Sequence, residues 1–171
     1  MNTKTLIILA VFIVGVIGLL AWSNAARGTT ALEHGASVPN ASKSALVAPE
    51  VFHDFGTISM KNGNVTKEFT VTNPTNQDVT LKTVVTSCMC TTAFVVEPNG
   101  DVKGPFGMPG HGGPVPPANE IIKAGESRII RVVYDPNAHG PAGVGQIDRF
   151  ITLTDSSNGT LELEIKANVT P

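Results

Sequence analysis

The order of apolar and polar positions divides this chain into three stretches. Residues 6–22 read LIILAVFIVGVIGLLAW, with fifteen apolar positions and two glycines. Residues 24–50 show no sustained apolar period and are rich in Ala, Ser, Thr, Asn and Gly. From Val51 onward the pattern is short alternations broken by turn residues. The clearest lies at 160–169, where Leu161, Leu163, Ile165, Ala167 and Val169 alternate with Glu162, Glu164, Lys166 and Asn168. A period of two is the mark of a strand with one buried face, and a slip of one residue would expose every apolar side chain. Glu162 and Glu164 then form its solvated face. Further strands are predicted at 51–55, 66–73, 79–85, 88–97, 127–134 and 148–154. Turn signals separate them at 61–64, 73–76, 124–126 and 156–159.

Seven short strands with no strand-to-helix alternation predict an all-β fold. The expected form is an immunoglobulin-like β-sandwich of about seven strands. It would be preceded by one N-terminal transmembrane helix and a flexible tether. The expected organisation is an anchor at 1–23, a linker at 24–50 and a sandwich at 51–171. Residues 98–119 break the rhythm, with six prolines and six glycines in 22 positions. An insert of that length inside a compact domain is expected to be functional or disordered.

Seventeen helical residues span roughly 25 Å, close to the hydrocarbon thickness of about 30 Å. Two readings of 6–22 stand side by side. One is an uncleaved single-pass anchor, with Trp22 at the interface. The other is a signal peptide cut near Ser23-Asn24-Ala25, giving a secreted domain. Both export the remainder, and Lys4 inside against Arg27 outside sets the same orientation. The linker composition cannot offset its ordering entropy and predicts a tether.

Composition sharpens this in two places. The mean hydropathy of +0.13 comes from the one apolar segment. From Val51 onward there are 14 Val and 8 Ile against 4 Leu, an excess of β-branched residues that favours strands. That part carries 9 Lys/Arg against 12 Asp/Glu and shows no basic patch, so no nucleic-acid partner is expected. No nucleotide-binding, hydrolase or zinc-protease motif occurs, and a non-catalytic binding or scaffolding module is expected, with a protein partner at a sheet edge or loop. The four Asn-x-Ser/Thr sequences, at Asn40, Asn64, Asn158 and Asn168, would be glycosylation acceptor candidates in a secreted eukaryotic chain and in a bacterial one would reflect an Asn- and Thr-rich composition.

Five pieces in fixed order carry a family likeness. They are Phe52-His53-Asp54-Phe55-Gly56-Thr57-Ile58, Phe69-Thr70-Val71-Thr72-Asn73, Ser87-Cys88-Met89-Cys90-Thr91-Thr92, Ile122-Lys123-Ala124-Gly125-Glu126 and Tyr134-Asp135-Pro136. Over about residues 50–169 the chain resembles the bacterial exported family known as domain of unknown function 1573. The resemblance implies an immunoglobulin-like sandwich related to hydin-type and major-sperm-protein-type domains, and no settled activity. The chain departs from the family's usual pattern at Met89, where glycine is usual between the cysteines, and in the longer Pro/Gly-rich insert.

The candidate chemistry lies in Cys88 and Cys90. Two residues apart on a strand, they would share a face roughly 6.5–7 Å apart at Cα. A disulfide between them would need a bulge or a turn; outside the cytoplasm oxidation is available, and a strained bond there would make Cys88 and Cys90 a redox pair, the alternative to a binding module. Paired thiolates also suit a soft metal, and Met89, Met108 and His111 could add the thioether and imidazole that suit Cu(I). The candidate metal set is therefore Cys88, Cys90, Met108 and His111, with no other cofactor expected. Against it stand buried structural cysteines, with Met89 packed in the core. His53 reads as an edge residue beside Asp54, and His139 as an exposed turn residue.

Overall fold

A computed structural model describes residues 42–110 and 114–171. Among the described residues nine strands form two sheets: β1 (Phe52–Ser59), β2 (Val65–Thr72), β3 (Val79–Thr86), β4 (Thr91–Val96), β5 (Val102–Phe106), β6 (Glu120–Ile122), β7 (Ser127–Tyr134), β8 (Gly145–Asp155) and β9 (Thr160–Thr170). One sheet has the order β1-β9-β8-β3-β6 and the other β2-β7-β4-β5. The pairings are antiparallel except β1 with β9, which is parallel.

The alternation seen in the sequence sets which face is buried. On β9, Leu163, Ile165, Ala167 and Val169 are buried and Leu161 is half-buried, while Glu162 is exposed. On β7, Ile130, Val132 and Tyr134 face the same core, opposite Phe69 and Val71 of β2. This is the all-β, two-sheet sandwich that the periodicity predicts.

Three expectations need correction. Residues 88–90 are not strand: β4 begins at Thr91, and Cys88-Met89-Cys90 forms a turn. Met89 is accordingly outside the core, 51% exposed. The insert at 98–119 contains β5, which pairs with β4, and it ends where Glu120 opens β6. Its Gly and Pro content hid this strand, because Gly104 (φ 127) and the cis Gly104–Pro105 bond lie inside it. An edge position tolerates such residues.

The linker also ends earlier than its composition suggests. Leu46 is 1% exposed in the core, and Val47 exchanges backbone hydrogen bonds with Thr72 at 2.9 and 2.8 Å. Thr160 N–H donates to the Ser42 carbonyl at 2.8 Å. One buried leucine, worth roughly 1.5–3 kcal/mol, together with the bonds of Ser44 and Ala45 to Asp155, seats a polar segment that shows no periodicity. The predicted anchor and residues 24–41 of the linker lie outside the described residues. Among the described residues, no helix is long and apolar enough to cross a membrane.

The sheets are tied by one buried polar cluster. Glu120, 3% exposed, accepts from Arg128 Nε at 2.6 Å and from Lys103 Nζ. Arg128 also donates to the Ile121 and Ser127 carbonyls, both at 2.9 Å. Partial burial would raise the Glu120 carboxyl, but Lys103 and Arg128 hold it below its ordinary value. The cluster fixes β6 against β7 and keeps the insert in register.

Candidate thiol centre

The turn between β3 and β4 is held from three sides. Thr91 N–H donates to the Cys88 carbonyl at 3.1 Å, closing the turn. Thr86 Oγ1 lies 3.1 Å from the Cys88 carbonyl oxygen and 3.0 Å from that of Thr91, sharing its proton between them. Ser87 N–H donates to the Phe150 carbonyl, and Phe150 N–H to Ser87 Oγ, both at 2.9 Å. That pair aligns the turn with β8 and so with Arg149.

The loop after β7 is fixed in the same way. Asp135 N–H donates to the Cys90 carbonyl at 2.9 Å. Asn137 N–H donates to Asp135 Oδ1 at 2.8 Å, and Asn137 Nδ2 to the Met60 carbonyl at 2.9 Å. These bonds place His139, just before the short 3₁₀ turn Gly140–Gly143, over Cys88.

Four side chains converge as a result. Cys88 Sγ is 3.1 Å from His139 Nε2 and receives the Cys90 N–H at 3.4 Å. Cys90 Sγ receives Arg149 Nε at 3.2 Å and lies 3.7 Å from Thr91 Oγ1. The two sulfurs and a ring nitrogen of His139 all lie within 4.8 Å of one another. Both cysteines are free. Cys90 is buried at 2% exposure, Cys88 half-buried and His139 exposed.

The thiols are electrostatically unequal. Partial burial alone would push Cys88 up. Hydrogen bonds with Cys90 and His139, together with the Arg149 charge, outweigh it and bring the thiol down to about 7. Burial pushes Cys90 up, and the shared interaction with Cys88 adds to it, outweighing Arg149 and Thr91. Of the two, the more accessible sulfur, Cys88, is the stronger acid.

Sequence reasoning placed Cys88 and Cys90 together but missed two partners. His139 lies 51 residues away in a loop, and Arg149 lies 59 residues from Cys90, on β8. Proximity across a sandwich leaves no local signal. Met108 lines a groove with Met89, Thr91, Phe106 and Val115. His111 lies outside the described residues. His53 sits on the edge strand β1, edge-on to Phe55 at 4.7 Å between ring centroids.

Fold and site together define an immunoglobulin-like two-sheet domain with a dithiol–imidazole cluster at one end. The family described as "Protein of unknown function (DUF1573)" has a model that matches residues 46–99, so the family likeness read from the sequence is borne out over that segment, cysteines included. Among solved structures, a protein of unknown function from Porphyromonas gingivalis W83 is similar at 16% identity and TM-score 0.52. The match covers 77% of this chain and 50% of that one, so this chain spans about half the length of that protein. The human CEP192 PapD-like domain 7 matches at 11% identity and TM-score 0.47, over 84% of this chain and 98% of that one. The YadV chaperone matches at 10% identity and TM-score 0.44, over 75% and 53%. No curated protein matches. These likenesses concern the fold.

Proposed function

We propose that the chain is an exported, membrane-tethered binding domain whose ligand is a soft metal ion, Cu(I), held by Cys88, Cys90 and His139. The observation that carries the reading is the convergence of two sulfurs and an imidazole nitrogen within 4.8 Å. Two thiolates and one imidazole make a three-coordinate set suited to Cu(I), whereas zinc on the same three ligands would need a fourth, such as water, to complete its tetrahedron. Charge supports the same choice. Two thiolates and one Cu(I) leave a single negative charge, and Arg149 beside Cys90 balances it.

The role is one of binding, in keeping with a sandwich whose sequence carries no catalytic motif. Export rests on the apolar segment at 6–22, and a protein partner on the outermost strands β1, β5 and β6 of the two sheets. Anaerobic titration of the full chain with Cu(I) against a chromogenic chelator tests the reading. One equivalent is expected to bind, with binding abolished in Cys88→Ser/Cys90→Ser and weakened at least tenfold in His139→Gln. Equal affinity in wild type and the double variant would remove the site.

A further inference from the structure

We propose that the metal-free Cys88–Cys90 pair is also a disulfide carrier, which passes its bond to a dithiol through attack on Cys88. The inference goes beyond metal binding and does not depend on it.

The first support is the turn. On a strand, cysteines two residues apart sit at the limit for a disulfide. Here Cys88 and Cys90 occupy the first and third positions of a turn closed by Thr91 N–H to the Cys88 carbonyl at 3.1 Å. A turn draws these positions together, so the bond can open and close while β3 and β4 stay in place.

The second support is unequal access. Cys90 is sealed at 2% exposure, while Cys88 is half-buried next to an exposed His139. An incoming thiolate therefore meets Cys88 Sγ first.

The third is a donor for each departing sulfur. Attack on Cys88 Sγ of the oxidised pair forms a mixed disulfide between Cys88 and the incoming thiol. The Cys88–Cys90 bond breaks, and its electrons leave on Cys90 Sγ, where Arg149 Nε stands 3.2 Å away. The second thiolate of the dithiol then attacks its own sulfur in the mixed disulfide. Cys88 leaves as thiolate, received by His139 Nε2 at 3.1 Å and the Cys90 N–H at 3.4 Å. The dithiol has lost two electrons to become a disulfide and its two protons to solvent, and the cysteine pair has gained the two electrons. Donors that stabilise the reduced pair make its disulfide the better oxidant. The same steps in reverse recharge the pair from another disulfide.

The test uses the full chain under chelation, so that metal binding cannot enter. Oxidised wild type is mixed with a reduced two-cysteine peptide, acid-quenched and mass-analysed; the expected result is oxidised peptide and reduced Cys88 and Cys90. Cys90→Ser, charged at Cys88 with a thiopyridyl group, should trap at Cys88 an adduct with a single-cysteine variant of the peptide, which lacks the second thiol that would release it. Cys88→Ser, treated alike, should yield at least tenfold less. Adduct mainly on Cys90, equal adduct on both variants, or an oxidised wild type that leaves the peptide reduced would overturn the proposal. A parallel arm with dithiothreitol identifies the source of the dithiol: faster exchange with the peptide assigns a polypeptide, and faster exchange with dithiothreitol a small molecule. Copper binding with no exchange, or exchange with no copper binding, separates this inference from the function proposed above.

Discussion

Two tight turns, both built around a functional group tied to distant chain, show opposite uses of the same device. At the β8–β9 turn the group is Asp155, 1% exposed. It accepts from Ser44 Oγ at 2.7 Å, Ala45 N–H at 2.9 Å, Ser157 N–H at 2.8 Å, Ser157 Oγ at 2.6 Å and Gly159 N–H at 2.9 Å. At the β3–β4 turn the group is the Cys88–Cys90 pair, with donors from His139, Arg149 and one backbone N–H. In the first, partners within the domain fill the acceptor and close it off. In the second, the sulfurs keep capacity to spare and one of them reaches solvent. A saturated buried group secures the fold, while an unsaturated, half-open one is left free for chemistry.

The largest effect should come from breaking the closed turn. Asp155→Ala strands the Ser44, Ala45 and Gly159 donors and frees the 42–47 segment, at a cost of about 3 kcal/mol, or roughly 10 °C in Tm. Burial alone would raise this carboxyl, but hydrogen bonds from Ser157, Ser44, Ala45 and Gly159 hold it at about 2 against an ordinary 3.8. A depressed carboxyl contributes stability that is complete above about pH 4 and is lost as pH falls toward 2, about 2.5 kcal/mol in all. Asp155→Asn should flatten that part of the acid-unfolding profile. Copper affinity of the folded protein should not move. An unchanged Tm in Asp155→Ala would end the contrast between the turns.

Next comes a change at the open turn. Arg149→Gln keeps length and polarity but removes the charge beside Cys90. As an outer partner of the proposed site, its loss should weaken Cu(I) binding about 10- to 100-fold, with stability altered by less than about 1 kcal/mol. Chelator competition and thermal melts on the same sample read both. A large Tm loss with unchanged affinity would make Arg149 a structural residue and the two turns alike.

The sandwich was legible because its strands carry their own evidence: alternation at 160–169 fixed a face, and Val and Ile outweighed Leu. Leu46 and β5 were not. One is a lone apolar residue in a polar run, and the other is an edge strand written in Gly and Pro. At the site, Cys-x-Cys stood out by composition alone, but its geometry was misread because strand periodicity was carried back from Thr91 to Cys88. His139 and Arg149 reach the sulfurs only once β7 and β8 are laid on opposite sheets, and spacing along the chain holds no trace of that.

The smallest effect isolates the position of the imidazole. The closed turn depends on Gly159, and the loop that carries His139 to the open one has Gly143. A Cβ at Gly159 would lie 2.7 Å from the Lys43 carbonyl oxygen and the Ser44 Cα, backbone that has nowhere to go. A Cβ at Gly143 would meet the Pro136 carbonyl oxygen at 3.3 Å, the His139 Cβ at 3.4 Å and the Met60 Cε at 3.6 Å. Met60 can swing aside, but the Pro136 oxygen and the His139 Cβ move only with the backbone, so the loop must shift by a few tenths of an ångström and carry the imidazole with it. Gly143→Ala should therefore tilt the ring away from Cys88 without unfolding the loop. Its expected signature is a two- to threefold weaker Cu(I) affinity, about 0.5 kcal/mol, with little change in Tm. Added to His139→Gln, the same substitution should cost nothing more, because its effect runs through the ring that has been removed. Additive losses in the double variant would show that Gly143 acts on the loop itself, and that the open turn, like the closed one, is held by backbone rather than by the group it presents.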